Sequence, residues 1–158
     1  RDVLGSRGLG DVYKRQALWE ISEPFVSLVQ AKGKTYTQDI ADGLSVTGDR
    51  TAIQQMVSIL LDNALKYSPD GGSISLTAQR SGKKAEIAVS NTVDAAQTDT
   101  SRLFDRFYRA DASRARESGG YGIGLSVAAA IVKAHKGKIT AERTQDGICF
   151  KAVFPAKG

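Results

Sequence analysis

Apolar residues recur along the chain in two distinct periods, one helical and one of strict alternation. Ile53, Met56, Val57, Leu60, Leu61 and Ala64 follow steps of three and four, the spacing of a stripe buried along one face of a helix. Asn63, Lys66 and Tyr67 stand at i, i+3 and i+4 on an adjoining edge. Asp49 is placed to cap the start of this helix, and Ser68-Pro-Asp-Gly-Gly72 must stop it. A second strong helix is predicted over Gly124–His135, with Ile123, Val127, Ile131 and Ala134 on its buried face and Gly137 at its end.

The alternating segments predict strands. Ala17–Ile21 reads as a short one, followed by a helix that Ser22 caps, Pro24 helps to start, Phe25, Leu28 and Val29 bury, and Gly33 ends. Lys34–Ile40 and Leu44–Thr47 read as further strands. Ile74, Leu76 and Ala78 alternate within Ser73–Arg80, Ser81-Gly-Lys83 makes a hairpin turn, and Ala85, Ile87 and Val89 repeat the alternation. Lys138–Thr144 and Ile148–Phe154 form a last hairpin around Gln145-Asp-Gly147. Hairpins with helices on one side predict an α/β (α+β) two-layer sandwich, its mixed, mostly antiparallel sheet covered on one face by about three helices.

Two segments fall outside this rhythm. Asn91 to Ser118 carries few core-type residues besides Phe104 and Phe107, and a long polar segment of this kind is usually functional. Residues 1–16 show no period, and Asp11-Val-Tyr-Lys-Arg-Gln16 looks like the read-through translation of a transposase adapter used in preparing sequencing libraries. The expected organisation is therefore a non-native or disordered segment over 1–16 and one domain over 17–158.

Composition narrows the class without choosing a function. At 41% hydrophobic and 25% charged residues, the chain matches an ordinary globular domain. No apolar run is long enough to suggest a transmembrane segment or signal peptide. A net charge of +5, mostly scattered, makes a nucleic-acid surface a weak reading. The lone Cys149 excludes an internal disulfide and suits a reducing cytosol.

Several residues carry candidate chemistry. An amide oxygen such as that of Asn63 suits Mg²⁺, which keeps most of its waters and needs few protein ligands. Lys66 could neutralise phosphate and Tyr67 hydrogen-bond it, although spacing alone also fits the solvated face of an amphipathic helix. Gly119-Gly-Tyr-Gly-Ile-Gly124 runs into a helix, so its backbone can approach phosphate oxygens where free N–H groups cluster. Arg109, within the Phe104–Arg109 aromatic and basic cluster, can bridge phosphate oxygens with its planar guanidinium. Arg106 could do the same or contact a partner helix. His135 ends the second helix, where a cationic side chain suits the last carbonyls.

Leu61-Asp-Asn-Ala-Leu-Lys-Tyr-Ser68, Leu103-Phe-Asp-Arg-Phe-Tyr-Arg-Ala-Asp111 and Gly119–Ser126 resemble, in order and spacing, the N, F and G2 boxes of sensor histidine kinase catalytic domains. These belong to the superfamily shared with gyrase, Hsp90 and MutL, and the resemblance covers about residues 17–157. It implies the Bergerat-type ATP-binding fold, with ATP and Mg²⁺ as cofactors. Asn63 would hold the metal and, with Lys66 and Arg109, serve catalysis; Lys66, Tyr67, Asn91, Tyr108, Arg109, Gly120, Gly122, Ile123, Gly124 and Leu125 would contact the nucleotide. The γ-phosphoryl group would pass to a histidine on a separate dimerisation domain, then to a response-regulator receiver domain. The fragment would be cytoplasmic, without direct membrane contact, in a parent protein anchored in the membrane.

Three positions depart from the family, one of them Val93, which replaces a glycine of the motif that Asn91 opens. Asn91 stands where members carry an Asp that accepts from the adenine amine, and an amide oxygen can still accept that bond. Ile59 stands where gyrase-type hydrolases carry a water-activating Glu, which argues against efficient ATP hydrolysis. Transfer to a neutral imidazole needs no such base, because positioning and charge neutralisation can suffice. The departures keep a non-catalytic nucleotide-binding module as the alternative, with an Hsp90- or MutL-type clamp as a further rival.

Overall fold

The computed structural model describes residues 12–41, 45–93 and 121–155. In chain order the elements are β1 (Val12–Lys14), α1 (Arg15–Ala31), β2 (Thr35–Ile40), β3 (Ser45–Thr47), α2 (Arg50–Tyr67), β4 (Ser73–Ser81), β5 (Lys84–Thr92), α3 (Tyr121–Ala134), β6 (Lys138–Arg143) and β7 (Gly147–Pro155). The main sheet runs β2-β4-β5-β7-β6, with β2 parallel to β4 and every other pair antiparallel. β1 and β3 pair antiparallel as a separate two-stranded ribbon. The described residues thus form the two-layer sandwich that the alternation predicts.

Its core is the interface between helices and sheet. Ile74, Leu76 and Ala78 of β4, Ala85, Ile87 and Val89 of β5, and Ile148, Phe150, Ala152 and Phe154 of β7 alternate inward and are buried. All six predicted stripe residues of α2 lie against them. Asp49 caps that helix as expected, its Oδ1 accepting from Thr51 N–H at 3.0 Å and Ala52 N–H at 3.3 Å. Gly82, at φ +61, turns the β4–β5 hairpin; its place at the first central position of a two-residue turn, before Lys83, matches the II′ pattern.

Four expectations need correction. Ala17–Ile21 is helix, not strand, and Ser22 and Pro24 lie inside α1 instead of starting it. The buried stripe is Leu18, Ser22, Phe25 and Val29, while Leu28 is 44% exposed. A serine fits this stripe because its hydroxyl donates to the Trp19 carbonyl at 3.3 Å. Second, Val12–Lys14 form a strand and Arg15 and Gln16 begin α1, whereas residues 1–11 lie outside the described residues. Third, α3 begins at Tyr121 and buries Leu125, Ala128 and Val132, with Ile131 partly packed and Ala134 exposed. Its sequence is apolar on several sides, so packing against α2 and the sheet, not periodicity, selects the face.

Finally, the residue that reverses the chain after α3 is Lys136, at φ +63, not Gly137. Lys136 N–H donates to the Lys133 carbonyl and Gly137 N–H to that of Val132, the paired bonds of a Schellman ending. Gly137 is required for space, since a Cβ there would stand 2.5 Å from the Val153 carbonyl oxygen.

Candidate nucleotide site between α2 and α3

α2 and α3 pack side by side over the sheet. A Cβ built at Gly124, in the first turn of α3, would lie 3.5 Å from Cγ2 of Ile59. Ile59 is one helical turn before Asn63, so the glycine-bearing start of α3 sits beside the Asn63 region of α2. Gly122 falls among the first N–H groups of α3, which lack intrahelical acceptors and favour an anion, and Gly124 closes that first turn.

Asn63 is buried, 8% exposed, and its Nδ2 has no hydrogen-bond partner among the described residues. A buried amide N–H₂ without a partner costs free energy unless a ligand meets it. Its other end, an amide oxygen, is the donor type that Mg²⁺ takes, so the residue present fits the metal. Lys66 is exposed and Tyr67 half-buried in the last turn. Loss of surrounding water raises the Asp62 carboxyl above its ordinary value, and the Lys66 charge one turn on partly opposes that rise.

Asn91 ends the inward-facing row of β5, 4% exposed, paired in register with Ile74 and Ile148. Its Nδ2 donates to the Thr92 carbonyl at 2.9 Å, which leaves the amide oxygen as the group available to accept. β7 presses close here: a Cβ at Gly147 would stand 1.9 Å from the Asn91 carbonyl oxygen.

The described residues therefore bring Asn63, Gly122, Gly124 and the buried Leu125 to the α2–α3 contact, with Lys66 and Tyr67 at the end of α2 and Asn91 under the helix layer. Tyr108, Arg109 and Gly120 lie outside the described residues, and of Ile123 only the backbone is described.

A family match covers residues 48–158, to the group described as histidine kinase-, DNA gyrase B- and HSP90-like ATPases. The chain belongs to this family. It is 38% identical over 142 residues to the probable sensor protein PcoS of Escherichia coli, covering 89% of this chain and 30% of that protein. To the sensor histidine kinase CusS of Escherichia coli O157:H7 it is 37% identical over 135 residues, covering 85% of this chain and 28% of that one. The chain thus spans roughly a third of these relatives or less. The solved catalytic domain of histidine kinase ThkA superposes with a TM-score of 0.79 at 22% identity, over 92% of this chain and 94% of that one, a likeness of fold. The chain is an ATP-binding catalytic domain of the sensor histidine kinase type.

Sequence reading missed Lys34 and the Asp49 partner of His135, both of which shape the site. Lys34, read only as the start of a strand, places Nζ 2.8 Å from both the Leu65 and Ser68 carbonyl oxygens at the end of α2. His135 ties the helices at their other ends: its Nε2 accepts from Asp49 N–H at 3.0 Å and its Nδ1 lies 2.8 Å from the Ile131 carbonyl. With Nε2 accepting, Nδ1 is the ring nitrogen that meets the last-turn carbonyl, the contact expected from its place at a helix end. The ring occupies the space above Gly48, where a Cβ would stand 2.3 Å from Cδ2. The only local cue to either role is a glycine or proline next to the partner, which says that something must fit there but not what.

Proposed function

We propose that this domain binds Mg²⁺·ATP between α2, α3 and the segment joining β5 to α3, and donates the γ-phosphoryl group to a histidine of the parent kinase's dimerisation domain. The observation that carries this is the buried carboxamide of Asn63, its Nδ2 unpartnered among the described residues, beside the glycine-bearing start of α3. Asn63 would hold Mg²⁺ by its amide oxygen, and the metal would neutralise developing phosphate charge. Lys66, Tyr67 and Arg109 would contact phosphate, with Tyr108 beside them. The backbone at Gly120, Gly122, Ile123, Gly124 and Leu125 would line the nucleotide. Asn91 would accept from the adenine amine.

Ile59 supplies no base and packs against Gly124, which suits transfer to an imidazole better than attack by water. From the phosphohistidine the group would move to an aspartate of a response-regulator receiver domain. No helix among the described residues is long and apolar enough to cross a membrane. We place the domain on the cytoplasmic side of a membrane-anchored parent, with no role for nucleic acid.

The second reading, a nucleotide-binding module without transfer activity, rests on Ile59 and Asn91. Incubating the domain with Mg²⁺·[γ-³²P]ATP and a supplied dimerisation domain separates the two. The kinase reading expects label on histidine that Asn63→Ala abolishes. Nucleotide binding without any label would favour the module.

A further inference from the structure

α2 ends against a proline. In a continuing helix the Leu65 carbonyl would accept from the N–H of residue 69, and Pro69 has none. Ser68 N–H still reaches the Ala64 carbonyl, and the Ser68 hydroxyl lies 3.3 Å from the Leu65 oxygen. The main substitute is Lys34, whose ammonium donates to Leu65 and Ser68 at 2.8 Å each. One cation therefore bridges the two carbonyls that bracket Lys66 and Tyr67.

Lys34 is itself held firmly. Gly33, at φ +71, ends α1 with Gly33 N–H donating to Gln30 and Lys34 N–H to Val29, a Schellman pair. On the other side Thr35 N–H donates to the Gly72 carbonyl, past the turn that follows α2. The backbone that carries this ammonium is thus pinned to the end of α1 and to the turn that follows α2.

A helix C-terminus is a poor place for a polyphosphate, because its free carbonyls carry partial negative charge. Lys66 and Tyr67 nevertheless belong to that last turn. We propose that Lys34 is a positioning residue for the nucleotide's phosphates: by bridging Leu65 and Ser68 it cancels the charge of the helix end and fixes the segment bearing Lys66 and Tyr67. This rests on the nucleotide reading given above, and assigns Lys34 no contact with substrate.

The test is calorimetric titration of the full 158-residue chain with Mg²⁺·ATP and, separately, AMP, for wild type, Lys34→Met and Lys34→Arg, with melting temperatures alongside. Lys34→Met should weaken Mg²⁺·ATP about tenfold and AMP about twofold or less, and Lys34→Arg should restore most of the loss. Should Lys34→Met fail to fold, Lys34→Gln, a neutral donor, carries the same comparison. A lower melting temperature with an unchanged ratio of ATP to AMP affinity overturns the proposal and leaves a plain helix cap. Failure of the wild type to bind either nucleotide overturns the nucleotide reading itself, and is seen before any substitution is compared.

Discussion

Replacing Asn63 by alanine should make the empty domain more stable and the loaded one less so. The buried Nδ2 of Asn63 has no partner among the described residues, and such an orphan costs about 1–3 kcal/mol. Truncation to alanine removes that cost. It also leaves a void, but Asn63 keeps 8% exposure at the α2–α3 contact, where water can enter. The net expectation is a gain of about 1 kcal/mol, or roughly 2–4 °C in melting temperature for a chain of this size.

Ligand reverses the order. At a Mg²⁺·ATP concentration near 100 times Kd, the wild type gains about 2.7 kcal/mol from binding. The variant, without the amide oxygen for the metal, should lose most of that gain. Thermal melts with and without Mg²⁺·ATP would then cross: Asn63→Ala higher alone, lower in the presence of nucleotide. A variant that melts lower without ligand would refute the orphaned-amide reasoning. One that keeps the full ligand-induced shift would refute Asn63 as the metal ligand.

Three further outcomes are expected. Lys136→Gly relieves about 1–2 kcal/mol of left-handed strain at φ +63 and adds about 0.5–1 kcal/mol of unfolded-chain entropy, so denaturant melts should show a net gain of about 0.5–1 kcal/mol. Gly147→Ala places a Cβ 1.9 Å from the Asn91 carbonyl oxygen. The strands must then separate, costing about 1–3 kcal/mol, and calorimetry should show weaker ATP binding because Asn91 moves with β5. Burial raises the Tyr36 phenol from 10.0 to about 12. A pKa raised on folding gives stability that is complete below about pH 10 and lost as pH climbs toward the folded value. Denaturant midpoints should therefore fall more steeply above pH 10 for wild type than for Tyr36→Phe, and parallel profiles would contradict the burial argument.

α2 was legible because its pattern is one-sided: six apolar residues at helical spacing, an acid at the cap and a proline after the end. The same rules misplaced the buried face of α3, where Leu125, Val127, Ile131 and Val132 offer more than one apolar face and only the neighbours decide. α1 failed for the opposite reason. Ser22 and Pro24 look like a helix start, and a serine seldom advertises a core position, yet Leu18, Ser22, Phe25 and Val29 keep the four-three-four step that places them on one face. The hydroxyl can be buried there because the preceding turn supplies an acceptor.

The candidate site divides in the same way. Asn63 and Asn91 could be named from motif and alternation, since each sits at a fixed offset from residues whose burial the pattern predicts. Lys34 could not, because 31 residues separate it from the carbonyl it serves. What the sequence does contain is the other half of that interaction. Pro69 deletes the donor that Leu65 would have used, and a part-buried carbonyl seldom stays unpaired. A proline directly after a helix cap thus announces that a donor must arrive from elsewhere. Which donor arrives is a property of the fold, and here it comes as a full positive charge at the helix end where the proposed phosphate contacts stand.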